Sequence, residues 1–179
     1  MKAVIVTGTP GTGKTTISKK LAKKLNFYYV DVNKLVKKHK LAEGYDRKRK
    51  TKIIDVNKLN KLLINEINTI KKYNKKIQSS SKIKKIYGII IDSHLSHYLP
   101  RRYADFCIVA KCGINILNKR LKKKKFNKGK IRENIQSEIF DICLNEAKEN
   151  WHKVIVIDTT KGINIKSISS KIGGLIDIN

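Results

Sequence analysis

Gly8-Thr9-Pro10-Gly11-Thr12-Gly13-Lys14-Thr15 meets every fixed position of the pattern G-x-x-x-x-G-K-[ST], and the rest of the chain is read outward from it. Ala3-Val4-Ile5-Val6 just before it is a short, strand-like apolar run, and Ile17, Leu21 and Leu25 just after it recur at helical spacing. Strand, loop and helix therefore come in the order a phosphate-binding loop requires. Gly8, Gly11 and Gly13 have no Cβ and adopt positive φ freely, so successive N–H groups can close around a phosphate chain. The first turn of the following helix adds unpaired N–H groups and the positive end of its dipole. Lys14 brings a mobile charge suited to the β- and γ-phosphates, and the Thr15 hydroxyl is suited to Mg2+. The stretch predicts a nucleoside triphosphate and leaves the acceptor open.

Composition narrows the class. A chain of 179 residues, 40% of them apolar, is most simply one domain with a real core. No apolar run approaches the ~20 residues needed to cross a bilayer, and the chain starts with a strand and shows no signal-peptide anatomy. The expected location is the compartment of synthesis, the cytoplasm, with the nucleus equally open in a nucleated cell. Cys107, Cys112 and Cys143 are an odd number without a C-x-x-C pair, which argues for reduced, mostly buried thiols and against a disulfide framework or a zinc site. The 41 Lys and Arg against 14 Asp and Glu leave a net charge of +27. Two explanations stand side by side: affinity for a polyanion, RNA above all, or a biased use of Lys, Asn and Ile that coats solvated faces.

In chain order, residues 27–32 form a second strand, Lys34, Lys37 and Lys38 share one face of a short helix, and Glu43-Gly44-Tyr45-Asp46 is a turn signal ahead of the basic run at 47–50. In a small kinase, an insert at this place, 31–54, holds the acceptor nucleotide; a plain surface helix and loop is the other reading. Val56, Leu59, Leu62, Leu63, Ile67 and Ile70 predict a helix over 55–73, and 74–85 reads as a flexible loop. Tyr87-Gly88-Ile89-Ile90-Ile91 predicts a strand buried on both faces that ends in Asp92-Ser93-His94. A carboxylate at the carboxyl end of such a strand is placed to hold a Mg2+-bound water beside Thr15. His94 projects to the same side if the chain stays extended, to orient water or a phosphate, or else serves structure alone. His94 and His97 have no third ligand of suitable spacing, so a metal site there is set aside. Arg101 and Arg102 follow Pro100 in a turn, as phosphate contacts or as surface charge. Residues 106–110 form a fourth strand, Ile114, Leu117 and Leu121 mark a helix, and the basic stretch 122–129 is either a mobile lid or a solvated charge run. One long helix is expected over 130–150, then a fifth buried strand at 154–158, a turn at 159–162, and an amphipathic helix carrying Ile165, Ile168, Ile172 and Ile176. The alternation predicts a single α/β domain, 1–179, with a five-stranded parallel sheet flanked by helices.

Together, the loop at 8–16, Gly44-Tyr45-Asp46, Asp92-Ser93-His94-Leu95-Ser96-His97 with Leu99-Pro100, and Arg120-Leu121 with Lys130-Ile131-Arg132-Glu133-Asn134-Ile135-Gln136 and Glu138 resemble the adenylate kinase isoenzyme 6 family. The histidine-rich segment is similar to its archaeal branch. The resemblance covers the chain apart from about 68–85. It implies a P-loop kinase fold with a short nucleoside-monophosphate segment at 31–54 and a small lid at 123–133. It further implies Mg2+-dependent transfer of the γ-phosphoryl of ATP to AMP, slow ATP hydrolysis, binding to a small-subunit ribosomal protein, and a role in maturing small-subunit ribosomal RNA. Residue by residue it places ATP on Gly11, Gly13, Lys14, Thr15, Thr16, Lys124 and Lys161, AMP on Lys37 and Arg101, and the chemistry on Lys14, Asp92 and His94, with Mg2+ at Thr15 and Asp92. Three departures bear on this assignment. Lys124-Lys125 replaces an Arg-Gly usual in the lid, Lys37 stands where arginine is common, and Arg47 and Lys48 replace acidic residues. A lysine is a point charge and does not reproduce a bidentate guanidinium clamp, so either Lys124 serves as that charge or Arg120 reaches in. The alternative function is an ATP-dependent ribosome assembly factor whose kinase activity is incidental.

Overall fold

The computed structural model describes residues 1–47, 51–76 and 85–176. From the amino end the chain forms β1 (Lys2–Thr7), α1 (Lys14–Leu25), β2 (Phe27–Asp31), α2 (Val32–Lys38), β3 (Ala42–Asp46), β4 (Thr51–Ile54) and α3 (Val56–Lys76). It continues through β5 (Gly88–Asp92), β6 (Phe106–Lys111), α4 (Ile114–Lys123), α5 (Lys128–Ile139), α6 (Ile142–Glu149), β7 (Val154–Asp158) and α7 (Ile165–Ile176). Strands β2, β5, β1, β6 and β7 lie side by side in that order as one parallel sheet. The α/β class and the five-stranded parallel sheet expected from the sequence are what the chain adopts.

Burial explains which runs became which strands. In β1, β5 and β6 nearly every residue is shut away from water, because helices cover both faces of the middle of the sheet, and their sequences are accordingly continuous in Val, Ile and Ala. One face packs Ile5, Ile89 and Ile91 with Leu59, Leu63 and Ile67 of α3; the other packs Val4, Val6, Ile90 and Ile108 with Ile17 and Leu21 of α1. Each of these side chains contributes on the order of 2 kcal/mol relative to exposure. Gly88 is required at the start of β5 because a Cβ there would stand 2.5 Å from the Phe27 ring on β2 and 2.7 Å from the Lys2 carbonyl oxygen.

Four expectations change. Strand β7 is the edge strand of the described sheet and not a fully buried one: Ile155 and Ile157 face the core while Val156, on the other face, is 45% exposed. The Glu43-Gly44-Tyr45-Asp46 stretch is not a turn; it lies in β3, paired antiparallel with β4 through Tyr45↔Lys52 and Asp46↔Thr51, with Gly44 beside an irregularity in the register. The helix expected to run over 130–150 is two helices, broken where Asp141 takes φ 54. Helix α3 continues through Lys76, so its last turn occupies the start of the loop expected at 74–85, while 77–84, like Lys48, Arg49 and Lys50 of the basic run, lies outside the described residues. Asn74 at that end of α3 grips the backbone of Ile86, donating to its carbonyl at 2.6 Å and accepting from its N–H at 3.1 Å. Among the described residues no helix is long and apolar enough to cross a membrane.

Candidate active site

Thr7 ends β1, and the chain turns over the carboxyl edge of the sheet with Gly8 at φ 133, Gly11 at φ 97 and Gly13 at φ 98. The loop is braced from within by the Thr12 hydroxyl, which donates to the Thr9 carbonyl at 2.8 Å, and from outside by the Thr159 hydroxyl after β7, which donates to the Thr12 carbonyl at 2.6 Å. Helix α1 starts directly from Gly13, whose carbonyl accepts the Thr16 and Ile17 N–H groups at 3.0 and 3.1 Å. Thr15 and Thr16 stand exposed at the mouth.

The Lys14 ammonium folds back over its own loop, donating to the Gly8 carbonyl at 2.6 Å and the Thr9 carbonyl at 2.9 Å. Burial lowers its pKa to about 8; Cys143, Asp92 and Glu138 work against that shift and Lys124 adds to it. Lys124 closes the carboxyl end of α4, its N–H bonded back to the Arg120 and Leu121 carbonyls, and the stretch expected to form a lid, 123–133, is the end of α4, a turn at 124–127 and the first half of α5. Asn127 caps α5 by accepting the Lys130 N–H at 2.8 Å.

Arg120 is engaged with the turn after β7. Its guanidinium donates to the Thr159 hydroxyl at 2.9 Å, the Thr159 carbonyl at 2.8 Å and the Cys112 sulfur at 3.3 Å. It ties α4 to the turn after β7, the same turn that braces the phosphate loop. Lys161 lies exposed in that turn and, with Gly162 to Lys166, walls an open cavity of about 620 Å³.

Asp92 is 5% exposed at the end of β5, and its Oδ2 accepts the Tyr29 hydroxyl proton at 3.0 Å. Burial and then the Asp92 charge push the Tyr29 phenol well above its ordinary range, so it stays a donor. After Asp92 the chain is not extended. The Leu95 N–H closes on Ser93 Oγ at 3.0 Å, and a turn leads into a short 3-10 helix, Ser96–Tyr98. His94, expected to follow Asp92 on an extended strand, instead lies in that turn. It is exposed to solvent there, and desolvation, then the charges of Lys14, His97 and Lys130, lower its pKa. It is therefore neutral at pH 7, a hydrogen-bonding group and not a cation.

His97 has a different task. Its Nδ1 lies 2.7 Å from the Thr7 hydroxyl and its Nε2 lies 3.0 Å from a Glu146 carboxylate oxygen, while Tyr98 donates to the other oxygen of Glu146 at 2.9 Å. His97 thus bonds to the end of β1 through Thr7 and lies beside Glu146 of α6, where its buried Nε2 makes no hydrogen bond. Among the described residues no group of three or more His, Cys, Asp or Glu is placed to hold a metal ion. The hard oxygen donors on offer are the exposed Thr15 hydroxyl and the Asp92 carboxylate, with one oxygen engaged by Tyr29. That sparse, hard set suits Mg2+, which keeps most of its waters and leans on substrate phosphates.

Two residues expected at the acceptor are not gathered with this cluster. Lys37 is exposed in the last turn of α2, the helix that leaves the carboxyl end of β2. Arg101 is exposed on a second 3-10 turn whose chain leads back toward Asp105, which accepts the Ala3 N–H at 2.7 Å near the amino ends of the strands, and its charge is felt at His152. The sequence reading passed over Tyr29 and the brace made by Arg120 and Thr159. Tyr29 had a signal, since it shares with Asp31 the parity of β2 that faces α1, as Asp92 shares it with Ile90 on β5. Arg120 and Thr159 lie 39 positions apart and had none.

A family profile described as an AAA domain matches residues 4–141. The "Putative adenylate kinase" of Methanocaldococcus jannaschii is 40% identical over 157 residues, which are 88% of this chain and 76% of that protein. The adenylate kinase isoenzyme 6 homolog of Caenorhabditis elegans is 31% identical over 153 residues, 86% of this chain and 76% of its own length. Among solved structures, shikimate kinase from Acinetobacter baumannii in complex with shikimate has a TM-score of 0.52 at 12% identity, over 98% of this chain and 93% of that one, a likeness of fold alone.

Proposed function

This chain belongs to the adenylate kinase isoenzyme 6 family, and we propose that within it the protein is a Mg2+-dependent adenylate kinase that moves the γ-phosphoryl of ATP to AMP and releases two ADP. The family makes it a nucleotide kinase of the P-loop class; AMP as acceptor and ATP hydrolysis as a second activity are the finer part of the proposal. The observation that carries it is the phosphate loop itself, three glycines at positive φ with the Lys14 ammonium folded over them, beside Asp92 at the end of the adjoining strand.

Phosphoryl transfer asks little covalent chemistry of a protein. The two nucleotides must be held in line and their charge neutralised. The Gly11 and Gly13 backbone and the first turn of α1, with Thr15 and Thr16, receive the triphosphate. Lys14 leaves the Gly8 and Thr9 carbonyls for the β- and γ-phosphates, a short move for a long flexible side chain. Lys124 approaches from the lid turn. Mg2+, when bound through Thr15 and an Asp92-held water, supplies charge neutralisation between the phosphates. Neutral His94 orients a water or an acceptor phosphate oxygen. Lys161 borders the base, and Lys37 on α2 and Arg101 on the second 3-10 turn meet AMP.

A coupled assay of ADP formation from Mg-ATP, with and without AMP, tests the proposal. A large AMP-dependent rate is expected. A rate indifferent to AMP yet dependent on Lys14 would replace it with the second reading, an ATPase that serves ribosome assembly, which the net charge of +27 favours. A role in small-subunit ribosomal RNA maturation, with pre-ribosomal RNA and a small-subunit ribosomal protein as partners, rests on the family and on that charge.

The position of Lys124 gives a separate expectation. Lys124→Ala lowers kcat about tenfold, the loss of one charged donor to the transferring group, whereas Lys124→Arg equals or exceeds the natural enzyme because a guanidinium adds bidentate contact. An unchanged rate in the alanine variant assigns the lid charge elsewhere.

A further inference from the structure

We infer that Tyr29 is a positioning residue for the metal: its hydroxyl fixes Asp92 so that one carboxylate oxygen is left facing the phosphate loop for a Mg2+-bound water. The inference rests on the reading of Asp92 given above and goes beyond it. Register makes the contact possible. On neighbouring parallel strands Asp31 lies opposite Asp92, and Tyr29, two residues earlier and on the same face, reaches up along β2 to Asp92 Oδ2 at 3.0 Å. An ionised carboxylate only accepts, so the single phenol proton is committed to that oxygen. Among the described residues no hydrogen bond is made to Asp92 Oδ1, although the residue is only 5% exposed. A buried carboxylate with one oxygen engaged and the other unengaged is oriented, not merely stabilised.

The ring is itself held. It packs on the cluster that includes Ile17 and Leu21 of α1, and the Lys19 ammonium lies 5.8 Å from its centroid. Phosphate loop, α1, Tyr29 and Asp92 therefore form one rigid chain of contacts, with the metal expected at its open end. Removing the hydroxyl leaves the packing intact and frees Asp92 to rotate or to turn toward Lys14. The consequence is weaker metal binding, with nucleotide binding in the absence of metal left alone.

The test compares Tyr29→Phe, Asp92→Asn and, as a control, Tyr28→Phe on the exposed neighbour. Mn2+ is titrated into each protein with saturating ADP, and bound ion is read from loss of the free-ion electron paramagnetic resonance signal, without turnover. Tyr29→Phe is expected to weaken Mn2+ about three- to tenfold, Asp92→Asn more, and Tyr28→Phe not at all. Metal-free ADP affinity and the melting temperature of Tyr29→Phe should stay near those of the natural protein. In the coupled assay, extra Mg2+ should recover much of its lost rate. Natural Mn2+ affinity in Tyr29→Phe beside a weakened Asp92→Asn overturns the role of Tyr29 alone. Natural affinity in both overturns it together with the placing of Asp92 at the metal.

Discussion

Lys14→Ala lowers kcat/KM for nucleotide phosphoryl transfer by about two hundred- to a thousandfold and leaves the fold intact. The size follows from what the amine is asked to do. A preorganised charge aimed at a transferring phosphoryl group in a water-poor site is worth about 3–4 kcal/mol at the transition state, and each 1.36 kcal/mol is a factor of ten. The stability of the variant follows from the resting contacts. The Gly8 and Thr9 carbonyls lose one donor in the variant, while the fold is relieved of a buried charge. Burial lowers the folded pKa to about 8 from 10.5, so below about 8 the charged amine is held less readily in the folded protein than in the unfolded chain. The sign is clear: at pH 7 the buried charge opposes folding, and its removal leaves the melting temperature equal or higher. ATP binding to the natural protein near pH 8 should take up roughly half a proton as the phosphates restore the full charge on Lys14, seen as a dependence of binding enthalpy on the buffer. More than about a tenth of the natural rate in Lys14→Ala would remove the phosphate loop from the mechanism.

The phosphate loop and its flanking elements were legible because local rules and global fold agree there. The glycines sit where φ is positive, the apolar runs that became β1, β5 and β6 are buried on both faces, and Ile17 and Leu21 point into the core at the spacing that announced them. The misread places are those where a long-range contact overrides a local signal. The stripe of Ile131, Ile135, Ile139 and Ile142 predicts one helix, yet Asp141 breaks it. Aspartate tolerates the left-handed conformation, Lys111 at the end of β6 pairs with its carboxylate, and its carbonyl starts α6 by accepting the Leu144 and Asn145 N–H groups at 2.9 and 2.8 Å. The break leaves Ile139, which periodicity alone would have buried, more than half exposed. Gly44 and Asp46 are turn formers by type, but antiparallel pairing to Lys52 and Thr51 holds Tyr45 and Asp46 extended. For the site, Lys14, Thr15 and Asp92 were marked by motif and by position at strand ends. The choice between Lys124 and Arg120 was not, because it turns on the Arg120 contact with Thr159, and nothing near either residue in sequence announces it.

Gly8→Ala is expected to remove more than about 3 kcal/mol of folding stability and to weaken nucleotide binding at least a hundredfold. Two separate penalties fall on this position. At φ 133 an L-residue is strained, which costs about 1–3 kcal/mol. The added Cβ would also lie 2.3 Å from the Ala110 carbonyl oxygen and 3.1 Å from the Thr12 hydroxyl. The carbonyl has no rotamer with which to escape. Ala110 is fully buried in β6, opposite Ile157 of β7, so it moves only if the sheet moves. The loop must yield instead, and with it the N–H groups that define the phosphate site. Gly162→Ala separates the two penalties, because Gly162 has φ 110 and an added Cβ there meets nothing within 4 Å. Strain acting alone predicts a loss of about 1–2 kcal/mol at Gly162, so the excess at Gly8 measures the clash with β6. Denaturant unfolding of both variants gives the comparison, with nucleotide affinity read on Gly8→Ala. Equal losses at the two glycines would mean that β6 does not press on the loop, and the rigidity assigned to the phosphate site would then have to come from Thr12 and Thr159 alone.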